Sequence, residues 1–140
     1  MASFNKFNSF VEAVAEKVHN LGSDTLKVLL TNTAPVATNS VKTDLTEISA
    51  GNGYTAGGNT ATVTSSAQTS GTYKLVLGDP ATWTASGGSI GPFRYAVLYN
   101  DTATNKELIG WWDYGSSITL ATGESFAVDF DPTTGVLTIA

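Results

Sequence analysis

The stretch Phe93-Arg94-Tyr95-Ala96-Val97-Leu98-Tyr99 decides the fold class, because large side chains occupy every second position. This alternation predicts a strand with Phe93, Tyr95, Val97 and Tyr99 on one face. A polar run over residues 100–105 follows, and residues 106–113 then predict a strand that pairs back in a hairpin. The centre of this region therefore favours an antiparallel sheet.

Similar short segments lie on both sides of the hairpin, separated by turn residues such as Asp79-Pro80 and Asp131-Pro132. The other predicted strands cover residues 25–32, 60–66, 71–77, 81–85, 118–121, 126–130 and 136–140. About eight strands at intervals of roughly 8–12 residues are typical of a mainly β protein. We therefore expect an antiparallel β-sandwich or jelly roll.

The N-terminal residues instead predict one amphipathic helix. Its apolar residues recur at helical spacing and are Phe4, Phe7, Phe10, Val11, Val14, Val18 and Leu21. The spacing predicts a helix over about residues 4–21, with Gly22 as its left-handed terminating residue. Its apolar face would either cover its own domain or dock onto a partner.

The domain organisation follows from these patterns. Residues 1–22 form the N-terminal helix, and residues 23–140 form a single β-sandwich domain. Periodicity is lost over about residues 33–60, which include the glycine-dense run Gly51 to Gly58. Because a long segment without regular structure is unusual inside a compact domain, we expect an irregular arm that contacts a neighbouring molecule.

Composition and charge exclude several classes of function. The chain has 21 Thr, 13 Ser, 14 Gly and 9 Asn, which favours a β protein with neutral polar surfaces. A net charge of −5 with only 7 Lys and Arg argues against a nucleic-acid partner. No apolar run reaches the ~20 residues that span a bilayer, and the N-terminus lacks a signal-peptide pattern. We expect a soluble protein, made in a cytoplasm, with no membrane partner.

The sequence predicts no catalytic residue, no cofactor and no metal site, and hence a protein that is not an enzyme. His19 is the only histidine and cysteine is absent, so the usual triads and His- or Cys-based metal clusters lack members. Asp129 and Asp131 could belong to a cation loop, but they lack the further carboxylates of one. A solvated turn explains them better.

Two adjacent tryptophans carry the clearest binding character. Trp111 and Trp112 lie on one predicted strand, so their side chains point to opposite faces. Burial of both, a subunit interface and a sugar-binding surface all remain open as interpretations.

Three stretches together resemble a known family. They are Leu30-Thr31-Asn32-Thr33-Ala34-Pro35-Val36-Ala37, Glu47-Ile48-Ser49-Ala50-Gly51-Asn52-Gly53-Tyr54 and Gly91-Pro92-Phe93-Arg94-Tyr95-Ala96-Val97-Leu98-Tyr99-Asn100. Behind a short helix, this arrangement resembles the head decoration, or cement, proteins of tailed phages, such as that of a Bordetella phage. The resemblance covers most of the chain. It implies a small jelly-roll-like domain that oligomerises on the outside of an icosahedral head, and it carries over no active-site residue.

The expected function is therefore that of a virion structural protein on the outer head surface. It would bind the major capsid protein and itself, as a homodimer or homotrimer, and staple neighbouring capsid subunits so that the shell is stabilised. The predicted contact residues are Phe4, Phe7, Asn52, Gly53, Tyr54, Gly57, Gly58, Trp111 and Trp112. The alternatives are a carbohydrate-binding module of a virion appendage, or a tail-tube or head-completion protein.

Overall fold

The computed structural model describes residues 2–140, and within them the chain forms ten strands and one α-helix in a sandwich-like fold. The predicted fold class is confirmed. The helix α1 spans Ser9–Ala15, and a 3₁₀ turn spans Lys42–Asp44. The strands are β1 (Asn5–Lys6), β2 (Leu26–Thr31), β3 (Asn59–Ala61), β4 (Val63–Thr69), β5 (Thr72–Leu77), β6 (Trp83–Thr84), β7 (Ile90–Asn100), β8 (Leu108–Leu120), β9 (Ser125–Phe126) and β10 (Leu137–Ile139).

In the described part of the chain these strands form three antiparallel sheets. The largest has the order β1-β8-β7-β2-β3, the second has the order β10-β5-β4, and β6 pairs with β9. The long strands β7 and β8 form the hairpin that the alternating sequence predicted. They pair with β2 to make the centre of the molecule.

Both faces of the large sheet are buried, and its residues divide between two apolar clusters. The larger cluster contains Val28, Leu30 and Leu98 and extends to the second sheet through Leu75 and Leu77. The smaller cluster lies on the opposite face and contains Phe7, Leu29, Val97, Tyr99 and Leu108. This alternation along β2 and β7 is the period of two that a strand imposes on its side chains.

The predicted helix over residues 4–21 is wrong at both ends. Asn5 and Lys6 form β1 and pair with Trp111 and Gly110 at the edge of the large sheet. In an extended chain, residues three apart point to opposite sides, so Phe4 packs on Trp112 and Phe7 packs on Trp111. The two phenylalanines therefore pack against opposite faces of β8 and do not lie on one face of a helix.

The helix also ends earlier than Gly22. Lys17 adopts a left-handed conformation with φ of 66°, its N–H donates to Val14 O, and the Val18 N–H donates to Ala13 O. These two bonds form a Schellman motif, which is usually built on glycine. Because the local hydrogen bonds are satisfied at Lys17, the chain leaves the helix five residues before the predicted terminator.

The single face predicted for β7 is interrupted. Register shifts on both sides of Phe93 mark a β-bulge, which changes the side-chain phase along the strand. Phe93 consequently lies in the larger cluster, whereas Val97 and Tyr99 lie in the smaller one.

Candidate functional site

The described residues form an aromatic cleft of about 300 Å³. It lies between β7 and β8 on one side and the segment 126–136 on the other. Its walls include Phe4, Phe93, Trp112, Tyr114, Phe126 and Phe130. A half-open cavity of this size with mostly apolar walls has the character of a binding site.

The aromatic rings of the cleft brace one another. Trp112 packs between Phe4 and Phe130, with ring centroids 5.4 Å and 5.3 Å apart. Phe126 receives the edges of Phe93 at 4.9 Å and Tyr114 at 5.7 Å. Tilted and edge-on pairs of this kind fix ring positions, so the cleft is preformed. Tyr114 is 56% exposed and provides an aromatic contact surface for a bound ligand or partner.

Charged groups stand around the cleft. Arg94 donates two hydrogen bonds to Asp113, Nε to Oδ1 at 2.7 Å and the terminal nitrogen to Oδ2 at 2.9 Å. The Arg94 guanidinium, helped by the Gly115 N–H, holds the pKa of Asp113 below its usual value. Asp129 is exposed on the facing segment. This ion pair holds Arg94 along the wall, and Asp129 and Asp131 are the other charged residues of the lining.

Asp131 belongs to a turn. Its Oδ1 accepts the Thr133 N–H at 2.7 Å and the Thr134 N–H at 3.1 Å, and these backbone bonds lower its pKa. The solvated turn predicted for this segment is therefore present. Across residues 2–140, no group of three or more His, Cys, Asp or Glu side chains is placed to hold a metal ion.

The glycine-rich run is not a free arm. Tyr54 is 2% exposed, and its hydroxyl accepts the Leu30 N–H at 3.1 Å and donates to Glu47 Oε1 at 2.7 Å. The same carboxylate oxygen accepts the Gly57 N–H at 2.5 Å, and Oε2 accepts Lys42 Nζ at 2.9 Å. We call this cluster the Glu47–Tyr54 anchor. It fastens residues 47–58 to the large sheet.

Close backbone contacts also hold this segment against the rest of the domain. A Cβ on Gly58 would lie 1.8 Å from Val28 O, and one on Gly53 would lie 2.2 Å from Thr84 O. Asn52 is exposed, but its Nδ2 donates to Ser89 O at 3.0 Å. The expectation of an arm that orders on a neighbour is thus corrected: these glycines bring the chain against its own domain.

The predicted contact residues therefore separate into three groups. Phe4 and Trp112 lie half-buried in the aromatic cleft. Phe7, which is fully buried, and the half-buried Trp111 pack on the other face of β8. The third group, Asn52, Gly53, Tyr54, Gly57 and Gly58, lies in the closed segment around the Glu47–Tyr54 anchor.

A second buried network surrounds His19. The Asn100 amide oxygen accepts the N–H groups of Thr102 and Ala103, so its Nδ2 is the donor to His19 Nδ1 at 3.0 Å and to Asp24 Oδ2 at 2.6 Å. His19 Nδ1 must then be an acceptor, which places the imidazole proton on Nε2. Burial lowers the pKa of His19, opposed by the nearby Glu107 and Asp24. With 6% exposure, His19 is part of the interior of the domain.

The hairpin of β4 and β5 is the surface feature that sequence reasoning missed. Its first strand is exposed from Thr64 to Thr69, and its turn residues Ser70 and Gly71 are exposed as well. A lack of large apolar residues between Val63 and Tyr73 was the available signal.

No family model, no curated protein and no solved structure matches the chain. In the described residues, no helix is both long and apolar enough to cross a membrane.

Proposed function

We propose that this protein is a virion structural protein that decorates the outer surface of a phage head and staples neighbouring capsid subunits. One observation carries the proposal, namely the resemblance of three separate stretches to the phage decoration proteins. In the fold these stretches meet. β2 pairs with β7, and Tyr54 binds the Leu30 backbone. The stretches thus make up one packed unit. Residues that the members of a family share are often those on which the fold depends.

The fold supports the proposal with two separate contact surfaces. A decoration protein of this kind binds a capsid subunit and a second copy of itself, and the aromatic cleft and the β4–β5 hairpin offer one surface for each, since they share no residue. The cleft suits an apolar side chain from a capsid subunit, because buried aromatic pockets supply most of the energy in protein interfaces. Neutral Thr, Ser and Gln contacts on the hairpin are screened by salt less than ion pairs are.

The mechanism is linkage between binding and shell stability. A protein that binds only the assembled shell adds its binding free energy to the stability of that shell. Many copies, each bridging one joint, multiply a modest affinity at each site.

Co-sedimentation with phage heads stripped of the protein tests the proposal. We expect saturation at hundreds of copies per head and greater resistance of the heads to heat. Tyr114→Ala should weaken binding about tenfold, because it removes an exposed aromatic contact. Val36→Ala, an exposed apolar residue outside both surfaces, is the matched control and should bind normally. Absence of binding would overturn the proposal, and saturation at a few copies would favour a tail or head-completion component.

Carbohydrate binding is the second candidate, favoured by Trp112 and Tyr114 in one cleft with Asp129 at its rim. Aromatic faces combined with carboxylates can hold a sugar ring by stacking and hydrogen bonding. Titration with oligosaccharides should then shift the tryptophan emission of the native protein and leave Tyr114→Ala unchanged. No shift with any glycan tested would remove this candidate.

A further inference from the structure

β4 is an open sheet edge of unusual composition. It borders β5 on one side, and no described strand pairs with its other side. Its seven residues, Val-Thr-Ser-Ser-Ala-Gln-Thr, include no charge and no proline. Natural edge strands usually carry such residues, because an unprotected edge pairs with other strands.

The hairpin geometry shows which backbone groups face outward. Ser70 and Gly71 have φ of 50° and 83°, which are the values of a two-residue type I′ turn. In this turn the flanking pair Thr69 and Thr72 exchanges hydrogen bonds, and bonding then alternates along the ladder as far as Ser65, beyond which a β-bulge at Thr64 shifts the register. The Val136 N–H donates to Leu75 O, which shows that Leu75 turns its backbone away from β4.

It follows that Ser66 and Gln68 direct their N–H and C=O groups out of the sheet. Neither residue has a strand partner on that side among the described residues. Their side chains are exposed too.

We infer that β4 is a self-pairing edge, at which a second copy of this chain adds its own β4 in antiparallel orientation about a two-fold axis at Ala67. In this register Ala67 faces Ala67 of the other copy, and Ser66 faces Gln68 in both directions. Both outward-facing residues are used, which gives about four hydrogen bonds between the copies. A register centred one residue away loses some of them.

Charge favours a second copy at this edge. Each chain has a net charge of −5, so most surfaces of two copies repel one another. β4 brings only small neutral side chains together, with no like charges opposed. The resulting interface is isologous, as in most symmetric dimers. The inference stands on the fold alone and does not depend on the proposed role in a phage head.

Single-cysteine variants test the register, since the native chain has no cysteine. In the proposed pairing, the Cα atoms of Ala67→Cys would lie about 4.5 Å apart, within disulfide range. Ser65→Cys is the matched control: it lies on the same exposed strand, but its copies are offset by four residues and exceed about 7 Å. Under mild oxidation we expect Ala67→Cys to form covalent dimers at least tenfold faster than Ser65→Cys.

The substitution Gln68→Pro provides an independent test of the same pairing. The substitution removes an outward N–H that β5 does not use, so it should preserve the hairpin while blocking the edge. In the Ala67→Cys background it should slow cross-linking about tenfold, with circular dichroism unchanged. Equal cross-linking of the two cysteine variants, or cross-linking unaffected by Gln68→Pro, would overturn the inference. Cross-linking of Ala67→Cys to a capsid subunit in place of its own copy would overturn it as well.

Discussion

Two regions of this molecule have similar composition, but one is packed against the domain and the other is exposed to solvent. Residues 51–58 and residues 63–72 are both neutral and rich in Gly, Ser and Thr. The first is closed onto the large sheet by the Glu47–Tyr54 anchor, whereas the second is exposed along most of its length. The difference is one aromatic side chain with buried hydrogen-bond partners. Composition therefore describes the surface chemistry of a segment, and anchoring residues decide whether that surface is available.

The largest expected effect comes from adding one methyl group in each region. Gly58→Ala forces a Cβ to 1.8 Å from Val28 O, which only backbone movement can relieve. Gly71→Ala meets nothing within 4 Å and carries only the cost of its positive φ. We expect a loss of more than about 3 kcal/mol for Gly58→Ala and about 1 kcal/mol for Gly71→Ala in urea unfolding. Equal losses would show that the first segment is not closed.

A smaller effect should come from removing one hydroxyl in each region. Tyr54→Phe leaves the buried Leu30 N–H and the Glu47 carboxylate short of a partner, which costs about 1–3 kcal/mol. Tyr73→Phe removes only the bond to the exposed Ser66 hydroxyl and should cost under about 0.5 kcal/mol. Thermal unfolding of the two variants measures the difference. A Tyr54→Phe protein as stable as Tyr73→Phe would contradict the anchor.

The smallest effect is a dependence of folding stability on pH. It arises where the hairpin meets the rest of the domain. His19, Ser66 and Tyr73 border one shallow cavity there. Because the pKa of His19 is lowered on folding, the unfolded chain binds the proton first. The stability that neutral His19 contributes is full above its unfolded pKa of about 6.5 and is lost as the pH falls toward its folded pKa.

His19→Gln tests this dependence. The melting temperature of the native protein should fall between about pH 7 and pH 5, and that of the variant should fall less. The carboxylates with lowered pKa, such as Asp113 and Asp131, act only at more acidic pH. Identical pH profiles for the two proteins would remove His19 as the cause.

Much of the fold could be predicted because strand periodicity is local. The alternation in residues 93–99, the polar connection after it and the opposed tryptophans of β8 are visible in the sequence. The helix predicted to begin at Phe4 is wrong for a physical reason. The spacing of Phe4, Phe7 and Phe10 matches the apolar face of a helix, but β8 offers an open edge for pairing and one face each to Phe4 and Phe7. A tertiary partner thus overrode a local pattern.

The candidate site was harder to predict. The sequence predicts Phe4 and Trp112 as contact residues, but the cleft that they line also needs Phe126 and Phe130 from a segment near the other end of the chain. The Glu47–Tyr54 anchor depends on contacts within an irregular segment and on the Tyr54 bond to the Leu30 backbone, which no periodicity encodes. Glycine in residues 51–58 signals close approach to a surface. The sequence could not say that the surface belongs to the same chain.

Amide hydrogen exchange in dilute solution tests the central claim most directly, namely that the hairpin edge is open and the glycine-rich segment is closed. We predict that the outward amides of Ser66 and Gln68 exchange rapidly, while those of Leu30 and Gly57 exchange only on global unfolding. Rapid exchange at Gly57, or protection of Ser66 in the monomer equal to that of Leu30, would contradict it.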